Sequence, residues 1–148
     1  MNALSSIDMP DDVMSMTVDG MDQAKTRLPR QLHWSRDSAE VVLLQLAYVG
    51  AVIHGHAPGA VLWHFPADHP KDSSMTAQVI LNTLKLCHEE RGYLPKKLIL
   101  QLDNTNRENK NKAIMAVLSM LLLVGLFPNG VSHTLLFGCF LSIFIMLT

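Results

Sequence analysis

The chain has 148 residues, and its 12 Lys and Arg nearly balance its 13 Asp and Glu, so the formal net charge is −1. This length suits one domain, and the balance argues against a strongly basic nucleic-acid-binding domain while leaving a local basic face open. The two cysteines exclude a disulfide scaffold and a four-cysteine zinc site. The 49% hydrophobic content excludes a disordered chain.

Charge is distributed unevenly along the chain. Every Asp, Glu, Lys and Arg lies within residues 1–112, whereas residues 113–148 contain none. The first part has the composition of a soluble protein, and the second that of a buried core, a membrane segment or sequence foreign to the domain. Because the N-terminal residues lack the basic and apolar regions of a secretory signal, we expect an intracellular protein, in the nucleus or cytoplasm.

The first half of the chain predicts strands. Residues 1–12 are polar and predict a disordered lead-in. Val13–Asp19 predicts a strand that ends in an Asp-Gly turn. Val41–His54 and Gly59–Phe65 flank a Gly- and Pro-containing turn, so they predict an antiparallel hairpin.

Helical periodicity begins after the hairpin. Asp72 or Ser73 can cap a helix that ends near Gly92. Leu98–Leu102 then predicts a strand, and Lys112–Phe127 predicts a second helix. Strands followed by strand–helix alternation indicate an α/β fold, a mixed sheet with flanking helices.

Two carboxylates stand at predicted strand ends, Asp19 after the first strand and Asp103 after LILQL. If these strands are neighbours in one sheet, the carboxylates can meet at its edge. Mg²⁺ is typically held by one or two carboxylates together with substrate phosphates. An Asp after a strand is also a common turn former, and that alternative stays open for both residues.

Two other polar groups have competing interpretations. The loop from Asn104 to Lys112 carries cations that fit phosphate contacts at the start of the following helix, or a solvated capping loop. Four histidines are interpreted as turn and strand-surface residues, because neither cysteine is near them in sequence to complete a zinc site. They are His54, His56, His64 and His69.

The strings VDGMDQAKT and QLDNTNRENKNK resemble an uncharacterised transposon-associated domain family. The His54–Gly55 turn and the stretch from Pro70 to Thr76 fit the same family, and the resemblance runs from about Met14 to Phe127. That family is similar to the RNase H-like fold of transposases and integrases. The resemblance therefore implies Mg²⁺-dependent phosphodiester chemistry on DNA.

The resemblance also assigns residues. Asp19 matches the first acidic position and Asp103 the second, as catalytic metal ligands, with Asp22 in reserve for the first. Four residues of the polar loop are implied to support the site or contact phosphate. They are Arg107, Glu108, Asn109 and Lys110.

The chain departs from the family's pattern after the second helix. The family continues into a GHTHED-like motif, whereas here no carboxylate follows His133 and Thr134. The resemblance therefore implies a truncated RNase H-like domain over 13–127 and a hydrophobic tail over 128–148 that does not match the family. With the third acidic ligand absent, we expect an incomplete and vestigial site without nuclease or strand-transfer activity.

The charge-free end supports an alternative function. At 1.5 Å per residue, a helix over 113–127 is about 22 Å long, short for a bilayer core of about 30 Å. Residues 131–147 are the better membrane-crossing candidate. The alternative is therefore a non-enzymatic binding module or a small membrane-anchored protein that uses this segment.

Overall fold

The computed structural model describes residues 6–21, 27–28, 44–66, 69, 72–102, 112–135 and 143–145. Its strands are β1 (Val13–Gly20), β2 (Arg27–Leu28), β3 (Leu44–Gln45), β4 (Ala47–His54), β5 (Ala60–Phe65), β6 (Lys97–Leu102), β7 (Val131–Leu135) and β8 (Ile143–Ile145). Its longer helices are α1 (Ser73–Arg91) and α2 (Lys112–Leu123).

One mixed sheet organises the fold. The strand order is β5-β4-β1-β6-β7-β8, and β2 and β3 form a separate pair. Strand β1 is antiparallel to β4 and parallel to β6, which is in turn parallel to β7. The prediction of an α/β fold with a mixed sheet is confirmed, and so is the hairpin of β4 and β5.

Alternation along β1 gives the sheet two different faces. Met14, Met16 and Val18 are buried in the hydrophobic core, and they alternate with Ser15, Thr17 and Asp19. Both helices contribute to the same core. Their buried apolar side chains are Met75, Val79, Ile80, Leu84 and Cys87 from α1, and Ile114, Leu118, Leu121 and Leu122 from α2. The opposite face carries the polar residues of β1, and we call it the polar face.

Helix α1 has the predicted ends. The Asp72 carboxylate accepts a hydrogen bond from the Ser74 backbone N–H at 2.9 Å, which satisfies a donor of the first turn. At the other end Gly92 adopts a left-handed conformation and its N–H donates to the His88 carbonyl at 2.7 Å.

Helix α2 is shorter than predicted. It ends at Leu123 rather than Phe127, because a turn through Gly125, with φ of 76°, redirects the chain. This turn lets Phe127 bury its side chain to 1% exposure in the core. It leaves Val124 67% exposed, so the apolar run is not uniformly buried.

Residues 131–135 correct the expectation of a hydrophobic tail that begins at 128. They form β7, whose pairing with β6 starts at Leu98 and Val131, and Val131 is 2% exposed within the core. Their lack of charge therefore reflects a place inside the sheet. The alternative of a membrane-crossing helix over 131–147 disagrees with residues 131–135 and 143–145, which are strands. No helix in the described ranges is long and apolar enough to cross a membrane.

The expected disordered lead-in is also corrected for residues 6–12. Ser6 begins a helical turn and is fully buried, and its hydroxyl donates to the His54 carbonyl at 2.5 Å, with the Val13 carbonyl 3.2 Å away. The Ser15 backbone N–H donates to the same hydroxyl at 3.1 Å. Lys96 and Asp12 form an ion pair at 2.7 Å. These contacts join the segment to the sheet, which its polar composition did not indicate.

Candidate functional site at the end of β1

Asp19 lies near the carboxyl end of β1 and is exposed. The pairing of β1 with β6 places Val18 beside Leu102, so Asp19 and Asp103 each follow directly after a residue of the same cross-strand pair. Asp103 itself lies outside the described residues. The condition set by the sequence, that the two predicted strands be neighbours, is met.

The other neighbour of Asp19 is a glycine. Gly50 of β4 is the cross-strand partner of Asp19, and it presents no side chain beside the carboxylate. Beyond it, Leu62 of β5 pairs with Gly50 and is 59% exposed. The side of Asp19 that faces β4 therefore has no neighbouring side chain at Gly50, and a ligand can approach the carboxylate from there.

A polar chain of hydrogen bonds crosses three strands next to Asp19. Thr17, two residues earlier on β1, lies on the same face. Its hydroxyl is 3.3 Å from His54 Nε2 on β4 and donates to Gln101 Oε1 on β6 at 3.2 Å. We call these three residues the polar relay.

Proton counting fixes the direction of the relay. A threonine hydroxyl has one hydrogen, and here that hydrogen goes to Gln101. His54 Nε2 must then carry its own hydrogen and donate to the Thr17 oxygen. The relay runs from His54 through Thr17 to Gln101, and it uses one lone pair of the glutamine amide oxygen.

The candidate metal-ligating atoms at this end of the sheet are carboxylate oxygens, which are hard ligands. A carboxylate is the preferred ligand of Mg²⁺, which needs one or two of them when phosphate oxygens complete its coordination. Asp19 supplies one such carboxylate, and its cross-strand partner Gly50 has no side chain beside it. Across the described ranges, no group of three or more His, Cys, Asp or Glu side chains is arranged to hold a metal ion.

Several of the sequence-predicted site residues lie outside the described residues. Besides Asp103 and the reserve candidate Asp22, these are Arg107, Glu108, Asn109 and Lys110. Their proposed roles therefore stay predictions. Of the assigned metal ligands, Asp19 is the one that the structure describes.

Sequence reasoning missed the polar relay. A signal was present, because Ser15, Thr17 and Asp19 alternate with buried apolar residues, as polar positions on one strand face do. Gln101 stands in the same relation to the predicted strand end at Asp103. His54 was predicted to end its strand, as it does in β4, but its contact with Thr17 was not predicted.

A second polar cluster lies at the opposite end of β1. His56 is 6% exposed, and its Nε2 is 3.0 Å from the Val13 carbonyl, to which it donates. Its Nδ1 accepts from Arg91, whose guanidinium also contacts Asp11 at 3.3 Å and the Tyr93 hydroxyl. His56 lies in the turn between β4 and β5, as predicted, and it is a buried structural residue there.

Burial and charge set the protonation of this cluster. Burial, and secondarily the positive charge of Arg91, lower the pKa of His56, so its neutral form is favoured. The hydrogen bond that Tyr93 donates to Asp11 raises the pKa of the phenol. Burial also raises the pKa of the Cys87 thiol. His56, Arg91, Tyr93 and Asp11 are hydrogen-bonded to one another or to the backbone, so the cluster is structural.

Comparison with known proteins gives matches to solved structures and a family. No curated protein matches the chain. Six chains of solved structures match it, among them "Crystal structure of Drosophila Piwi", with 13% identity and a TM-score of 0.49. That alignment covers 84% of this chain and 16% of the Piwi chain.

The family match covers well over half of the chain. It spans residues 36–138, and so includes Asp103 and all of β7 but not Asp19. Its C-terminal limit lies beyond Phe127, where the resemblance seen in the sequence ended, which agrees with the place of β7 in the sheet. The chain therefore belongs to the family described as "Domain of unknown function (DUF7869)".

Proposed function

We propose that this chain is an RNase H-like, transposase-type domain that binds a divalent metal ion through Asp19 and Asp103 and contacts DNA without cleaving it. The parallel pairing of β1 with β6 supports the proposal, because Asp19 and Asp103 each follow, in sequence, one member of the Val18–Leu102 pair. The mixed sheet with both helices in one core supports the fold assignment.

The metal ion explains how an acidic strand end can bind a polyanion. Bound Mg²⁺ would supply positive charge to a phosphate group, which the carboxylates alone would repel. Asp19 is exposed and has Gly50 beside it, so a phosphate can reach an ion held there. The proposed ligand is therefore a DNA phosphodiester together with Mg²⁺.

The polar loop after β6 is assigned to phosphate contacts. Arg107 and Lys110 supply positive charge, and Glu108 and Asn109 support the site by hydrogen bonding. The loop immediately precedes α2, whose first N–H groups favour an anion. This assignment rests on the sequence resemblance and on the loop's place in the chain.

Catalysis is proposed to be absent from this chain. A two-metal phosphoryl transfer needs carboxylates enough to hold both ions, and residues 113–148 contain no Asp or Glu. Two carboxylates fit one ion, which can bind and orient a phosphate but lacks the second ion's stabilisation of the leaving oxygen. Metal-dependent DNA cleavage by the purified chain, if abolished in Asp103→Asn, would contradict this part of the proposal.

Mn²⁺ binding tests the proposed site directly. Electron paramagnetic resonance measures free Mn²⁺ as it is titrated into the natural chain, Asp19→Asn and Asp103→Asn. We expect weak binding by the natural chain and at least a tenfold loss of affinity in each variant, about 1.4 kcal/mol. Asp8→Asn is the control, because Asp8 is an exposed aspartate outside the sheet. Equal affinities in all four proteins would disprove the site.

A non-enzymatic protein-binding module is the second candidate. It is favoured by large apolar side chains left exposed at the end of α2, where Leu123 is 73% and Met120 is 54% exposed. Such a module needs no metal ion. The natural chain would then bind Mn²⁺ no better than its Asp19→Asn variant.

A further inference from the structure

We infer that Gln101 is a phosphate-binding residue, whose side-chain amide donates a hydrogen bond to a phosphate oxygen of nucleic acid bound beside Asp19. The inference deepens the proposed function and rests on it for the identity of the ligand. The residue was assigned no role by the sequence resemblance.

The polar relay fixes which end of the amide is available. Thr17 donates to Gln101 Oε1 at 3.2 Å, and His54 holds the Thr17 hydroxyl in that orientation from the other side. One lone pair of the amide oxygen is therefore used. The remaining capacity of Gln101 consists of the second lone pair of Oε1 and the two Nε2 N–H donors, and these donors suit an anionic oxygen.

Those donors have no partner among the described residues. Gln101 is only partly exposed, and a polar group withdrawn from water loses free energy unless it is hydrogen-bonded. A ligand oxygen would satisfy the amide at the expense of little conformational entropy, because the relay already holds the side chain. The relay therefore preorganises an N–H donor that a ligand oxygen can accept from.

The position of Gln101 suits a phosphate bound with the metal ion. It pairs with Thr17 on β1, and Thr17 precedes Asp19 by two positions on the same strand face. Two residues along a strand span about 6.5 Å, so a phosphate that contacts an ion near Asp19 can reach the amide. Being neutral, a glutamine donates there without forming an ion pair with the carboxylates, as a lysine would.

Isosteric substitution separates this role from a structural one. Gln101→Glu keeps the oxygen that accepts from Thr17 and replaces the donors with an anionic oxygen. Gln101→Met removes the donors without adding charge. The control is Gln78→Glu, which makes the same charge change at an exposed position of α1. Circular dichroism of the full chain checks that each variant folds.

Binding is measured by fluorescence anisotropy with a labelled single-stranded oligothymidylate in the presence of Mn²⁺. A hydrogen bond to a charged group corresponds to a change of roughly 10- to 150-fold. We expect losses in that range for Gln101→Glu and Gln101→Met, and no change for Gln78→Glu. Mn²⁺ affinity in Gln101→Met should equal that of the natural chain, since the metal ligands are intact.

The outcomes distinguish the two levels of the proposal. Unchanged oligothymidylate binding in Gln101→Met overturns the inference, and so does an absence of binding by the natural chain. If the natural chain binds the oligonucleotide but not Mn²⁺, the proposed metal site fails. A loss confined to the Gln101 variants would still support the phosphate contact in that case.

Discussion

The indole Nε1 of Trp63 donates a hydrogen bond to the Thr83 hydroxyl at 2.9 Å. This bond joins β5 near the edge of the sheet to the middle of α1. Thr83 is completely buried, so water cannot replace the contact. A specific polar bond thus orients the helix on a surface that is otherwise apolar and non-directional.

Replacing Thr83 by Val should destabilise the fold by about 1–3 kcal/mol, because the shape is kept while the indole N–H loses its acceptor. Urea unfolding of the purified chain measures the difference. Thr83→Ser keeps the hydroxyl and removes one methyl group, which costs about 1 kcal/mol or less. Equal stability of the Val variant and the natural chain would show that the hydrogen bond contributes nothing net.

Gly55 is expected to be intolerant of any side chain. It has φ of +73°, and a Cβ there would lie 2.8 Å from the Ser6 carbonyl oxygen and 3.1 Å from Ile7 Cα. Gly92 has a similar φ of +79°, but a Cβ there would meet no atom within 4 Å. Alanine at Gly92 should therefore cost only the left-handed strain, about 1–2 kcal/mol.

The difference in unfolding free energy between Gly55→Ala and Gly92→Ala isolates the effect of the contact with residues 6–8. We expect Gly55→Ala to be the more destabilising of the two in urea unfolding, and to increase amide hydrogen exchange in residues 6–12. Equal losses of stability, with unchanged exchange in that segment, would show that the N-terminal turn does not need the glycine.

Much of the fold was predictable because its signals are local. The Asp72 cap and the Gly92 terminus bound α1 by backbone chemistry that needs no distant partner. Alternation of buried and polar residues in β1 likewise reports the two faces of one strand.

The C-terminal elements could not be predicted in the same way. A short apolar run fits a buried strand or a buried helix equally, and β7 lies inside a longer stretch without charge. What makes residues 131–135 a strand is the free edge of β6, a non-local feature. The turn at Gly125 that ends α2 likewise serves to return Phe127 to the core.

The candidate site was predictable only in part, because some of its features are local in sequence and others depend on the pairing of distant strands. Asp19 and Asp103 could be selected as strand-end carboxylates, whereas the adjacency of their strands depends on pairing across more than eighty residues of sequence. The polar relay needs a third strand, since His54 reaches Thr17 from β4. No spacing rule connects residues 17, 54 and 101.

Stability should fall with acidification because of His56. Its pKa is lowered in the folded chain, so the unfolded chain takes up a proton first as the pH drops. The stabilisation is fully present above the ordinary value of 6.5 and is lost below it, towards the folded pKa. The loss is about 1.4 kcal/mol for each unit by which folding lowers the pKa. Urea unfolding between pH 8 and pH 5 measures it.

His56→Gln should flatten this dependence. At pH 8 the variant is expected to be less stable than the natural chain by about 1–3 kcal/mol, because the Val13 carbonyl and Arg91 lose their buried partner. Towards pH 5 the gap should narrow, since glutamine takes up no proton. His64→Gln removes an exposed histidine and should keep the natural pH dependence. If His56→Gln loses as much stability as the natural chain over this range, the acid sensitivity originates elsewhere.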